Sequence, residues 1–179
     1  VHALAVCDDG TGPACFAAGE FTTAGGVRAV GIAKWNGTSW SALGTGTNSG
    51  SVQAMTVYND GSGGGPALYA GGSFITAGGF TVNNIAKWNG TSWSALGTGM
   101  ASAFGFASVH SLTVFGDGAL CGPALYAGGE FTSARGVPAN YLAEWGRGCD
   151  TTPPVLSCPT YVFASDLGSL GEVVTLSVS

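Results

Sequence analysis

The chain has 179 residues and a formal net charge of −5, with five Lys and Arg side chains against ten Asp and Glu. Charged residues make up 8% and hydrophobic residues 45%, the reverse of the balance that keeps a chain disordered. Nucleic-acid binding needs a basic stripe to release counterions and a membrane-spanning helix needs a long apolar run; this sequence has neither.

The first predicted element is VHALAVC at Val1, whose interleaved apolar and small residues read as a strand covered on both faces. The turn DDGTGP follows and ends at Pro13, which can open a strand without losing a ladder bond. The second strand is ACFAAGEF, and glycine inside it predicts a bulge or a close backbone approach. A second turn, TTAGG, leads to the third strand, GIAKW. Asn36-Gly37 suits positive φ and predicts a hairpin, with SWSALG as the fourth strand. Trp35 and Trp40 then lie on adjacent strands, placed to pack against neighbouring units.

The same order returns from Val52 and from Val109. IAKWNGTSWSALGTG, Ile32–Gly46, is repeated letter for letter at Ile85–Gly99, and LAEWGRG at Leu142–Gly148 is a looser third version. Phe21, Phe74 and Phe131 recur at steps of 53 and 57 residues, as do Trp35, Trp88 and Trp145. The additional residues of the longer step fall in the link Met100–Ser108. Four antiparallel strands in about 50 residues is the pattern of a β-propeller blade. The expected fold is all-β: a propeller-like array of about three four-stranded blades, with units of about 1–51, 52–108 and 109–149.

A strand ending in Gly-Gly (Gly71-Gly72, Gly128-Gly129), then Asn-x-Ile-x-x-Trp, then Trp-x-x-Leu, resembles the kelch repeat. The first unit has Ala18-Gly19 instead, and Trp35, Trp88 and Trp145 stand where the family usually has a tyrosine. The likeness is to the glycine-rich propeller repeats of secreted bacterial and fungal surface proteins. The third unit lacks the WSAL strand; DTTPPVLSCP, Asp150–Pro159, resembles the opening of a hyalin repeat, an extracellular immunoglobulin-like module associated with adhesion. Residues 150–179 are therefore expected to begin a partial immunoglobulin-like sandwich, or to supply a donated strand. The resemblances imply a secreted or cell-surface protein.

Both ends look cut. No signal peptide is visible at Val1, and three blades are fewer than the about four of a closed propeller. The chain is expected to be a fragment of a longer protein, or a subunit completed by other copies through strand addition. Candidate interface residues are Val173, Val174, Leu176 and Val178 on the donated strand, and Phe104 and Phe106 in the link MASAFGFAS.

The five cysteines lack paired zinc-site spacing. A Cys7–Cys15 bond would close a nine-residue loop and contribute about 2.5 kcal/mol. Cys121 and Cys149 form a second candidate pair, which would leave Cys158 over; buried free thiols are the alternative. Disulfides would imply an oxidising compartment.

No catalytic constellation is visible. His2, Gln53 and His110 occupy one repeat position and read as tolerant polar sites, because no carboxylate or nucleophile recurs beside them. Glu20, Ser73 and Glu130 share another, and the serine argues against a common carboxylate role. Asp9, Asp60 and Asp117 recur before glycine, where calcium could be held, though Asp-Gly is also simply a good turn and the full calcium-loop spacing is missing. No other cofactor is expected. Asn36-Gly37-Thr38 and Asn89-Gly90-Thr91 match the glycosylation sequon where a hairpin already needs Asn-Gly.

The expected role is structural or adhesive, with other copies or the rest of a longer chain as partners. One alternative is a propeller module that binds glycans or other ligands. The other is a piece of a larger kelch-type enzyme with its catalytic residues elsewhere.

Overall fold

A computed structural model describes residues 1–48, 50–116 and 122–146. The described chain is all-β and its sheets are antiparallel. The first unit contains β1 (Ala3–Asp8), β2 (Pro13–Ala18), β3 (Thr23–Ala24), β4 (Val27–Arg28), β5 (Ile32–Trp35) and β6 (Trp40–Ala42). The second contains β7 (Val52–Tyr58), β8 (Ala67–Gly72), β9 (Thr76–Ala77), β10 (Phe80–Thr81), β11 (Ile85–Trp88) and β12 (Trp93–Ala95). The third contains β13 (Met100–Ala101), β14 (Ser108–Phe115), β15 (Ala124–Glu130), β16 (Ser133–Ala134), β17 (Val137–Pro138) and β18 (Leu142–Trp145).

Two sheets have the expected four strands in meander order, β1-β2-β5-β6 and β7-β8-β11-β12. The third, β14-β15-β18, has three among the described residues. Pro13 opens β2, and Pro66 and Pro123 stand immediately before β8 and β15. The TTAGG-type segments are more than turns: each is the core of a small hairpin, β3-β4, β9-β10 or β16-β17. Two-residue strands are too short to show a period, so only their glycine turn was visible in the sequence.

The strand glycines meet both expectations placed on them. Register shifts at Val52/Ala54 and at Val109/Ser111 mark bulges in the second and third sheets. A Cβ on Gly72 would lie 2.0 Å from the Ser51 carbonyl, and one on Gly129 would lie 2.1 Å from that of Ser108.

Residues paired across strands share a face. One face of the first sheet carries the row Val6, Cys15, Trp35, Trp40; the other carries Ala5, Phe16, Lys34, Ser41. The second sheet repeats this with Val57, Leu68, Trp88, Trp93 against Thr56, Tyr69, Lys87, Ser94. The sheets stack in sequence order, β1 against β7 and β7 against β14. Between the first two, Cys7 and Phe16 meet Leu68, Trp88 and Trp93. Between the second and third, Tyr58 and Tyr69 meet Leu125 and Trp145. The tryptophan faces of the second and third units thus receive the aromatic face of the unit before. Phe16, Leu68 and Leu125 are fully buried, each contributing about 1.5–3 kcal/mol. The expectation that first strands are covered on both faces holds for β7 alone; β1 and β14 alternate, because nothing in the described chain covers their outer sides.

Candidate functional site

Three features lie where neighbouring units meet or where a sheet face is exposed among the described residues. The first is an ion pair repeated at the turn end of the sheets. Lys34 Nζ donates to Asp9 Oδ1 at 2.6 Å, and Lys87 Nζ to Asp60 Oδ2 at 2.5 Å. Thr11 and Ser62 hydroxyls donate to the same two carboxylates. Burial alone would push the Asp60 carboxyl up, but hydrogen bonds from Lys87, Ser62 and Tyr69 outweigh it and hold it well below the usual carboxylate range. Asp9 behaves alike: burial raises it, while Lys34, Thr11 and Trp88 bring it down by more. Two of the three aspartates suggested for calcium are therefore engaged by lysines, and no described cluster has the make-up of a metal site. Asp117 lies outside the described residues.

The pairs also touch the next unit. Trp88 Nε1 donates to Asp9 Oδ2 at 3.4 Å across the first interface. In the second unit Asp60 Oδ2, which holds Lys87, also accepts from the Tyr69 hydroxyl at 3.0 Å, and Trp145 Nε1 is buried without an acceptor. Phe16, which stands where Tyr69 does, has no hydroxyl to compete, so in the first unit the carboxylate is left for the tryptophan.

The second feature is a polar row along the starts of the first strands. Gln53 Oε1 accepts from Ser108 Oγ at 3.4 Å and from His110 Nδ1, and His110 Nε2 lies 3.6 Å from Glu130 Oε1. Gln53 Nε2 donates to Ser51 Oγ at 3.3 Å, and Ser73 Oγ accepts from the Ser51 amide. The repeat positions singled out in the sequence are therefore neighbours across units, which their spacing could not reveal. Gln53 and Glu130 thus flank the His110 imidazole on its two nitrogens.

Two open grooves flank this row. One, of about 560 Å³, includes Glu20, Thr22, Asn48, Ser51 and Ser73. The other, of about 490 Å³, includes Ser73, Asn83, Thr98, Ser102 and Phe106. Phe104 and Phe106 are 84% and 93% exposed. Their link begins with β13, which pairs with β16, just as Thr47 bridges Ala77 one unit earlier.

The third feature is the pair of uncovered end faces. Leu4 and Val6 are exposed on the first sheet, and Phe115 on the third.

The Cys7–Cys15 bond is not formed; both thiols are free. Cys7 pairs with Ala14 and Cys15 with Val6, so the two side chains leave opposite faces of one ladder. Burial, with the charges of Asp9 and Asp8 behind it, pushes the Cys7 thiol pKa up. Cys121, Cys149, Val173, Val174, Leu176 and Val178 lie outside the described residues, as does the hyalin-like segment from Asp150. At the sequons, Asn36 and Asn89 are not at positive φ; only Gly37 and Gly90 are. Their Oδ1 atoms instead accept the backbone N–H groups two and three residues on, Thr38 and Ser39 or Thr91 and Ser92, an Asx turn that accounts for both asparagines structurally. No described helix is long and apolar enough to cross a membrane.

No protein-family model, no curated protein and no solved structure matches this chain.

Proposed function

We propose that the protein is a structural or adhesive component of a secreted or cell-surface assembly. Its sheets act as kelch-like propeller blades, and its work is to make protein contacts with other copies or with the rest of a longer chain. One observation carries this reading. Both buried clusters of the described chain lie between successive units, and the surfaces that build them recur with exposed apolar residues on the outer sides of the first and third described sheets. A sheet that hides its apolar faces only by leaning on the next has contact-making as its basic property. The segment itself is assigned no catalysis. Val173–Val178 keeps its proposed part as a strand given to another copy.

Electron microscopy of the purified chain tests the proposal. Polymers or closed oligomers are expected, fewer or shorter when residues 173–178 are deleted if strand donation contributes. A monodisperse monomer would overturn the structural reading.

The groove beside Phe106 favours a second reading, a glycan-binding module. An exposed ring next to Asn83, Thr98 and Ser102 offers both stacking and hydrogen bonds to a sugar. A glycan array with no binder, or binding that Phe106→Ala leaves intact, counts against it.

A further inference from the structure

We infer that the two end faces are halves of one interface, so that a second copy of the chain docks head to tail, its third sheet on the tryptophan face of the first sheet. This rests on the assembly reading and gives it a surface. The occupant is identified by continuity, because the same contact is made twice within the chain.

The tryptophan face can be compared at equivalent positions. Leu68 and Leu125 are fully buried, whereas Cys15 in their place on the first sheet is half-buried. Trp88, Trp145 and Trp93 are 7%, 9% and 3% exposed, whereas Trp35 and Trp40 are only partly covered. Met55 and Val57 pack against the first core cluster, and Leu112 and Val114 against the second; Leu4 and Val6 are 67% and 73% exposed. The first sheet therefore carries the whole acceptor surface with no described residue packed on it.

The opposite face shows the converse. Cys7 and Tyr58 are buried beneath the following sheet, whereas Phe115 at the same position is 58% exposed. Phe16 and Tyr69 are buried, while Tyr126 is half-buried and has Phe115 at 6.3 Å for a ring neighbour. The small hairpins follow suit. Asn48 Oδ1 accepts the amides of Ile75 and Thr76, and the Gly46 carbonyl accepts from Gly78. On the first unit, Thr22 and Thr23 stand exposed where a preceding link would lie.

Such a contact joins two different patches, so it is heterologous: it closes a ring if the rotation permits and otherwise propagates. That property supplies the test. Val6→Lys spoils only the acceptor face, and Phe115→Lys only the donor face. Both side chains are exposed, so folding is expected to survive, and thermal unfolding checks it. In sedimentation velocity the wild-type chain is expected to associate, and each variant alone to lose association. An equimolar mixture of the two is expected to recover a one-to-one dimer, since each retains one sound face. Alkylation of Cys15, which lies on the acceptor face, is expected to slow in the assembled wild type. Variants that associate as the wild type does would overturn this contact while leaving assembly by another surface standing. A wild-type chain that stays monomeric would overturn both. A mixture that remains monomeric would overturn the head-to-tail pairing specifically.

Discussion

Ile32–Gly46 and Ile85–Gly99 have the same fifteen residues and different surroundings. In the second copy Trp88 and Trp93 are buried and each indole donates into the first unit, to Asp9 and to the Leu43 carbonyl. In the first copy Trp35 and Trp40 pack on one another at 5.4 Å, as the second pair does at 5.3 Å, yet both stay partly open. Local sequence sets the strand, the turn and the ring pair. Burial is set by the neighbour. In a stacked array the energetic weight of a residue is therefore a property of its place in the stack.

The largest expected difference is between Trp93→Ala and Trp40→Ala. Trp93 fills the space over Gly78 and satisfies a carbonyl of the preceding unit. Its loss should cost about 3–5 kcal/mol. The same change at Trp40 leaves no closed cavity between units and should cost less than half as much, about 1–2 kcal/mol. Urea unfolding of the two single variants measures both. Equal losses would show that the neighbouring unit contributes nothing to the indole.

A sharper contrast comes from Gly37 and Gly90. Both sit at positive φ, 98° and 96°, so a side chain strains the backbone equally at each. A Cβ at Gly37 meets open space, whereas at Gly90 it would lie 2.0 Å from the Asp9 carbonyl. Gly37→Ala should cost about 1–2 kcal/mol for the left-handed conformation alone. Gly90→Ala should add a further 1–3 kcal/mol, roughly, for forcing the two units apart. The difference between the two midpoints isolates the interface from the turn.

The ion pairs make stability depend on acid. Asp9 and Asp60 have folded pKa values below the usual carboxylate range. A depressed carboxylate stabilises the fold above its unfolded pKa, near about 4, and that contribution fades as pH falls through the lower folded value. Stability should thus decline from about pH 4 downward. Asp60→Asn should flatten the decline and cost about 1 kcal/mol at neutral pH, the pair being partly exposed. A pH profile unchanged by that variant would remove the pair from the balance.

Much of the stack was legible in the sequence because repetition makes one reading serve three times. Strand order, the prolines at the second strands and the placement of Trp35 beside Trp40 followed from turn chemistry and period. The cysteine pairing did not, because a one-residue offset in register sends Cys7 and Cys15 to opposite faces, and spacing cannot show register. The Asp–Lys pairs were within reach: Asp9 with Lys34 and Asp60 with Lys87 repeat together, and Glu144 replaces the lysine in the third unit. The polar row from Gln53 to Glu130 was not, since its members meet only when sheets stack.

The smallest effect tests the finest difference between the interfaces. At the first, Phe16 leaves Asp9 Oδ2 for Trp88; at the second, Tyr69 shares Asp60 Oδ2 with Lys87 and Trp145 Nε1 is left without an acceptor. Tyr69→Phe removes one hydrogen bond and releases an oxygen toward a buried donor. If the second interface then adopts the pattern of the first, the net loss should be under about 1 kcal/mol, because a buried indole N–H left unmade is itself costly. The indole proton of Trp145 should gain protection from exchange in an NMR experiment, while that of Trp88 stays unchanged. A loss above about 2 kcal/mol with no change at Trp145 would mean that the Tyr69 hydroxyl is irreplaceable and that the two interfaces are built on different rules.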